Sequence, residues 1–252
     1  MSRWTALAIH LGISVVALLA LLAVILAFWY PGILFRIDGG WSGLRIVIGV
    51  DLVLGPLLTL VVFKAGKPGL RFDLACIALF QATCMAAGMW IVYTERPIAL
   101  VLAYDTLYSL DADAFTQFDR DPGLLDAFPG SYPKLLYTEL PEDDIQADIV
   151  AIRSQFMDDP LYMQTDRYRA MPRDDMAVVF RREESLRTQF EEQRGESLPT
   201  SCLFSRFTSV VTTGFVCLDP QNRRITEFFT EETAERDDGP MSATTNAASD
   251  QQ

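Results

Sequence analysis

Three long apolar stretches occupy the first 93 residues and set the architecture of the chain. Crossing the ~30 Å hydrocarbon core of a bilayer takes ~20 helical residues at ~1.5 Å each. Thr5–Tyr30 meets this with His10 as its only ionisable side chain. Ile46–Phe63 is interrupted by Asp51 alone, and Leu74–Tyr93 carries no charged side chain. Trp4, Trp29, Tyr30, Trp41, Trp90 and Tyr93 lie near the ends of these stretches, where an amphipathic ring prefers the headgroup level. The pattern predicts three transmembrane helices. A cleaved leader does not fit, because the first run is too long, lacks a small-x-small cleavage site and precedes two further spans.

After Tyr93 the period changes. Ile98–Leu110 reads as one or two strands, Asp111–Gln117 as a short helix, and Lys134–Leu140 as a strand after a Pro/Gly-rich loop. Pro141 followed by Glu142, Asp143 and Asp144 marks a helix start, with acids on the positive end of the dipole. Ile145, Ile149, Ile152 and Phe156 then recur at helical spacing and predict a buried face. A second helix, Met176–Arg194, places Val179, Leu186 and Phe190 on one side. Ser201–Ser209, Val211–Asp219 and Arg224–Phe229 read as a β-meander, with Asp219-Pro-Gln-Asn222 as one turn. The fold class expected is therefore an α-helical membrane segment of three transmembrane helices (1–93), then an α+β domain with a C-terminal β-meander (94–229). A polar, disordered tail (230–252) follows.

Charge sharpens this division. Residues 1–93 carry six basic and three acidic side chains, whereas residues 94–252 carry 15 and 30. So acidic a domain excludes nucleic acid as a partner and disfavours lying flat on anionic lipid. Arg3, Lys64, Lys67 and Arg71 flank the spans on one side, against Arg36, Arg45 and Arg96 on the other. The positive-inside rule then predicts a cytoplasmic N-terminus and a periplasmic C-terminal domain in a bacterial inner membrane.

Few residues invite chemistry. With one histidine, set in a span, a His-based triad in the outer domain and an HExxH zinc site are both ruled out. No phosphate-binding Gly-rich motif occurs, and Asp111-Ala-Asp113 reads as a helix start rather than a sugar-transferase metal motif. No catalytic residue, metal or cofactor is expected. Asp51 must face protein or water, or lie near an interface. It either bonds Arg45, Arg36 or nearby backbone, contacts a partner helix, or lines a proton or ion path. Measured from Arg45 it lies ~9 Å inside the span, too shallow to meet His10. Ala75, Ala78, Ala82 and Ala86 form a small-residue stripe, for packing on the chain's own spans or for docking a foreign helix. Cys76 and Cys84 read as inert packers. Cys202 and Cys217 lie on adjacent strands. If these turn at Ser209–Val210, Cys202 faces Cys217 and Phe204 faces Phe215, which suits either a disulfide or two reduced core thiols.

Ile48–Phe63 (IGVDLVLGPLLTLVVF), Arg71–Gln81 (RFDLACIALFQ) and Tyr93–Leu110 (YTERPIALVLAYDTLYSL) resemble the membrane core of type IV pilin accessory proteins, the TfpX/TfpZ family. The likeness continues through Pro129–Pro141 and Ser205–Pro220. Asp51-x-x-x-Gly55-Pro56 and Glu95-Arg96-Pro97 are its most specific parts. The resemblance implies a non-catalytic, chaperone-like inner-membrane helper that assists its cognate type IV pilin, and through it the assembly machinery. Asp51 and the alanine stripe are then the candidates for helix contact, and the acidic domain for the pilin head. A periplasmic sensor and a pilin-modifying transferase are the competing classes.

Overall fold

The computed structural model describes residues 2–154, 156–195 and 197–230; the tail expected to be disordered lies outside the described residues apart from Thr230. Three of its helices are long and apolar enough to cross a membrane, Arg3–Trp29, Gly40–Val62 and Leu70–Thr94. The first is α1 (Arg3–Val24), ending in the wider π turn Ile25–Trp29. A short α2 (Leu34–Ile37) leads to Gly39, whose φ of 81° only glycine adopts freely. The second span then runs as α3 (Gly40–Val47), a π segment (Ile48–Leu54) and α4 (Gly55–Val62), and the third is α5 (Leu70–Thr94). The second span thus begins six residues before the Ile46 predicted from hydropathy, because Gly40–Arg45 is helical although Ser42 and Arg45 lower its apolarity.

Spans two and three approach through glycine. A Cβ at Gly43 would overlap Val92 Cγ2, and one at Gly88 would overlap Val47 Cγ2. The face of α5 turned inward carries Ile77, Gln81, Gly88 and Val92. Ala75, Ala78, Ala82 and Ala86 are all exposed. Two residues along a helix turn it by ~200°, so a stripe containing Ala75 lies opposite one containing Ile77. The expected packing of the alanines on the chain's own spans does not occur.

Outside the spans, β1 (Ala99–Ala103) and β2 (Thr106–Leu110) form a hairpin whose two-residue turn places Tyr104 at φ 62°. Asp111 caps α6 (Ala112–Gln117) by accepting from Ala114 N, the helix-start role foreseen for it. Then come β3 (Lys134–Thr138), α7 (Asp144–Ser154), β4 (Tyr168–Ala170), α8 (Glu183–Arg194), and the meander β5 (Leu203–Thr208), β6 (Thr213–Asp219) and β7 (Arg224–Thr230). All the strands among the described residues join one seven-stranded sheet in the order β4-β3-β1-β2-β5-β6-β7, with β1/β3 and β2/β5 parallel. The expected helix Met176–Arg194 is broken, a 3-10 turn at Met176–Val179 preceding α8.

Further expectations fail in this domain. Helix α7 starts at Asp144 rather than Pro141, with the Asp143 carboxylate accepting from Gln146 N. Its buried side is Ala147, Ala151 and Ser154, while Ile145 and Phe156 are 72% and 84% exposed. Ala151 joins Ala103 and Leu161 in a small core, so the side of α7 turned to the sheet is the one carrying alanines, and the isoleucines face outward. The β5–β6 register is also two residues from the one expected, pairing Phe204 with Cys217 and Arg206 with Phe215. Ser209 causes the shift: its Oγ accepts from Val211 N and Thr212 N, so the turn spans Ser209–Thr212 instead of closing at Val210.

Each face of the sheet has its own core. One face of β1 and β2 (Leu100, Leu102, Leu107), joined by Phe207, Val216 and Leu218, packs on Leu21, Ile25, Tyr30, Leu34 and Phe35 from the membrane half. The other face buries Ala99, Val101 and Leu110 under Phe115 and Leu125, and α8 adds Leu186 and Phe190 against Phe204. The sheet therefore lies directly across the ends of the spans. At this junction Asp38, 8% exposed, accepts from the Ser109 hydroxyl. Burial pushes its carboxyl up to about 6, against the opposing pull of the Ser109 and Ser209 hydroxyls.

Two outcomes follow from this packing. Gly88→Leu is expected to destabilise the detergent-solubilised protein by about 1–3 kcal/mol through overpacking, whereas Ala82→Leu on the outer face stays within about 0.5 kcal/mol of the parent. Thermal melting of the two variants checks this. Because Asp38 binds its proton more tightly folded than unfolded, folding stability falls as pH rises from ~4 to ~6 and is level above. Asp38→Asn lacks this fall, so its advantage over the parent grows by on the order of 2–3 kcal/mol across that window. Melting curves at several pH values read the difference directly, and an advantage that does not change with pH contradicts it.

Candidate functional site

A cluster of polar side chains from all three spans lies inside the apolar bundle. Its geometry starts from Gly55-Pro56. Proline has no N–H to donate back, and the helix before it widens to the π segment Ile48–Leu54, which carries Asp51. Gly55 leaves room beside it for the Gln81 amide of α5, where a Cβ would overlap the Gln81 side chain. Gln81 Nε2 donates to the Asp51 carbonyl at 3.5 Å, and its Oε1 lies 2.8 Å from His10 Nε2. His10 Nδ1 is in turn 2.5 Å from Thr59 Oγ1. An amide oxygen only accepts, so Nε2 carries the ring hydrogen; with the ring neutral, Nδ1 accepts from the Thr59 hydroxyl.

Asp51 is only 1% exposed, and neither carboxyl oxygen has a hydrogen-bond partner among the described residues. Its expected bonds to Arg45 or Arg36 are absent from the structure, and it is turned into the bundle rather than toward a partner helix. As expected, it does not bond His10, and only its backbone carbonyl is linked to the ring, through Gln81. The second span begins at Gly40, which sets Asp51 ~16 Å rather than ~9 Å from the span's start. Gln81 escaped the sequence reading altogether, although it is the one Asn/Gln side chain within its span. Chemically the cluster offers an imidazole with both nitrogens engaged and a carboxyl free to accept a donor. Among the described residues no group of three or more His, Cys, Asp or Glu could hold a metal.

The remaining candidates are placed apart from it. The alanine stripe faces outward from α5, and Cys76 is exposed on the same helix, with Cys84 half-buried. Cys202, just ahead of β5, is disulfide-bonded to Cys217 of β6 with their Cα atoms 5.3 Å apart. Cys202 lies outside the paired strand and faces Cys217 as expected, whereas in the shifted register Phe204 stacks diagonally on Phe215 with centroids 5.4 Å apart.

Fold and site together define a chain of three spans bearing a mixed-sheet domain on their ends. Its relatives give that class a name. It is 30% identical over 128 residues to a fimbrial assembly protein of serogroup E1 from Dichelobacter nodosus, covering 50% of this chain and 47% of that protein. The serogroup I protein of the same organism is 29% identical over 126 residues, or 49% of this chain and 45% of the relative. The protein of serogroups C1 and C2 is 31% identical over 99 residues, which make up 38% of this chain and 74% of the relative. The chain belongs to the family of fimbrial assembly proteins. It matches about half the length of the first two of these relatives. No family model matches it, and no solved structure does.

The cluster predicts opposite signs for two neighbouring substitutions. Gln81→Leu leaves the His10 N–H and the Asp51 carbonyl unpaired and is expected to cost about 1–3 kcal/mol. Asp51→Asn removes a buried carboxyl without partners and is expected to leave stability equal or higher. Thermal melting of the two full-length proteins separates them, and a destabilised Asp51→Asn would show that the carboxyl is satisfied after all.

Proposed function

We propose that the protein is a non-catalytic, chaperone-like accessory of the TfpX/TfpZ type that helps its cognate type IV pilin to be stabilised or assembled. Kinship to proteins named for fimbrial assembly carries this reading. It works from a bacterial inner membrane, N-terminus in the cytoplasm and sheet domain in the periplasm. Three observations support that placement: the length and apolarity of the spans, the excess of flanking basic residues on the N-terminal side, and the Cys202–Cys217 bond, which persists in an oxidising compartment. An unassembled pilin presents one apolar helix and a folded head on the same side of the membrane. The outward stripe of Ala75, Ala78, Ala82 and Ala86 suits close approach of such a helix, since small residues let backbones come near. Asp51, turned inward, acts only through the position of the spans that enclose it. The acidic sheet domain faces the head.

A photo-crosslinking residue at Ala82 in living cells tests the helix contact, with exposed Val61 of the second span as the comparison position. Capture of pilin from position 82 but not from 61, with piliation lost and pilin modification normal in the deletion strain, is the expected result. Recovery of lipid or self-contacts alone contradicts the docking stripe. Intact pili of unmodified pilin in the deletion strain would instead identify a transferase, and normal pili with altered transcription a sensor.

A further inference from the structure

The sheet does not seal completely against the spans. Beside the end of α1 a cavity of about 1000 Å³ opens between the two halves of the molecule. Phe28, 69% exposed on the last turn of the span, forms one wall, with Leu100 of β1 and Met176 forming the other. Arg173, Arg223 and Arg224 line the same cavity, where Asp174 is the one acid. None of these three arginines joins an ion pair among the described residues. Arg223 is held in place by donating to Pro172 O at 2.8 Å and Met171 O at 3.2 Å. Burial, and then the charge of nearby Arg173, pull the Arg223 guanidinium below its usual pKa, and Asp174 is the one acid lining the cavity against three arginines.

The height of this cavity is set by its neighbours. Trp29 packs edge-on to Tyr93 with centroids 5.3 Å apart, and the Arg96 guanidinium lies 3.6 Å from the Tyr93 centroid. Aromatic rings and arginines of this kind mark the headgroup level. A bilayer with its headgroups at the level of Trp29 and Tyr93 would set hydrocarbon beside Phe28 and phosphate groups beside the arginines. That is the polarity of a phospholipid, and the volume is at the upper end of what small-molecule sites enclose. An acidic domain repels anionic lipid over most of its surface, so three arginines at this one place form a local exception.

We propose that this cavity seats one anionic phospholipid from the leaflet beneath the sheet. Its phosphate is held by Arg173, Arg223 and Arg224, and its glycerol and first acyl carbons run along Phe28, Leu100 and Met176. Positive side chains bind a phosphate by charge, and a guanidinium adds paired N–H donors to it. The bound lipid fills the gap between sheet and span, and the protein thereby distinguishes anionic from zwitterionic headgroups.

Native mass spectrometry of the full-length protein, released from micelles doped with phosphatidylglycerol or phosphatidylcholine, tests this. One retained phosphatidylglycerol is expected, favoured over phosphatidylcholine by about tenfold or more. The exposed Arg173 and Arg224 are free to change: R173E/R224E should lower that retention by about tenfold or more, R173K/R224K should keep most of it, and the distant R153E should leave it intact. Melting curves confirm that each variant is folded. Equal retention of the two lipids, or an R173E/R224E protein that is folded and still retains phosphatidylglycerol, overturns the proposal. So does displacement of the lipid by equimolar glycerol 3-phosphate, which would mark a site for free phosphate. A peptide retained in place of lipid would assign the cavity to a protein partner and equally overturn it.

Discussion

Hydrocarbon neither donates nor accepts hydrogen bonds, and each polar group placed within the spans must be answered by another part of the chain. The membrane half is organised around that requirement. Pro56 disturbs the second span, and the π segment ahead of it brings Asp51 inside the bundle. Gly55 makes room for Gln81, and Gln81 joins the Asp51 carbonyl of one span to the His10 ring of another. Thr59 closes the other side of the ring. Polar contacts of this kind fix which helix faces meet, whereas apolar side chains in lipid have little preference. The Asp51 carboxyl is the exception, buried and unanswered.

The same constraint extends beyond the membrane. The ends of the spans carry apolar residues that the sheet covers, and Leu21, Ile25 and Tyr30 share one core with Leu107, Phe207 and Val216. Domain and anchor therefore cannot move independently without exposing that surface. On the proposed function, a helper holding a membrane helix and a folded head in fixed relation has use for such a joint. The outer face of α5 and the exposed isoleucines of α7 are then carried on one frame, one at membrane depth and the other on the sheet domain.

Much of this was legible in the residues. Apolar length marked three spans, and β-branched runs marked the strands of the meander, because both signals are local. What was not legible depended on approach distances. The Ile145–Phe156 pattern has a helical period, but period alone does not say which side is buried, and the side that joins Ala103 and Leu161 is the one carrying Ala147 and Ala151. The same reason sends the α5 alanines outward, since Gly43 and Gly88 give a closer contact than alanine could. A side-chain acceptor in the turn, Ser209, shifted the β5–β6 register without altering either strand. The link between His10 and the Asp51 backbone was missed because it runs through Gln81, a third residue on another span.

The account depends most on the placement of the sheet domain across the membrane from the N-terminus. Fusing alkaline phosphatase, active only outside the cytoplasm, and a fluorescent protein, bright only inside it, after Thr230 in separate strains measures that placement. High phosphatase activity with a dark fluorescent fusion is the result this account requires. A bright fusion with inactive phosphatase would contradict it, putting the sheet in the cytoplasm, out of reach of any pilin head.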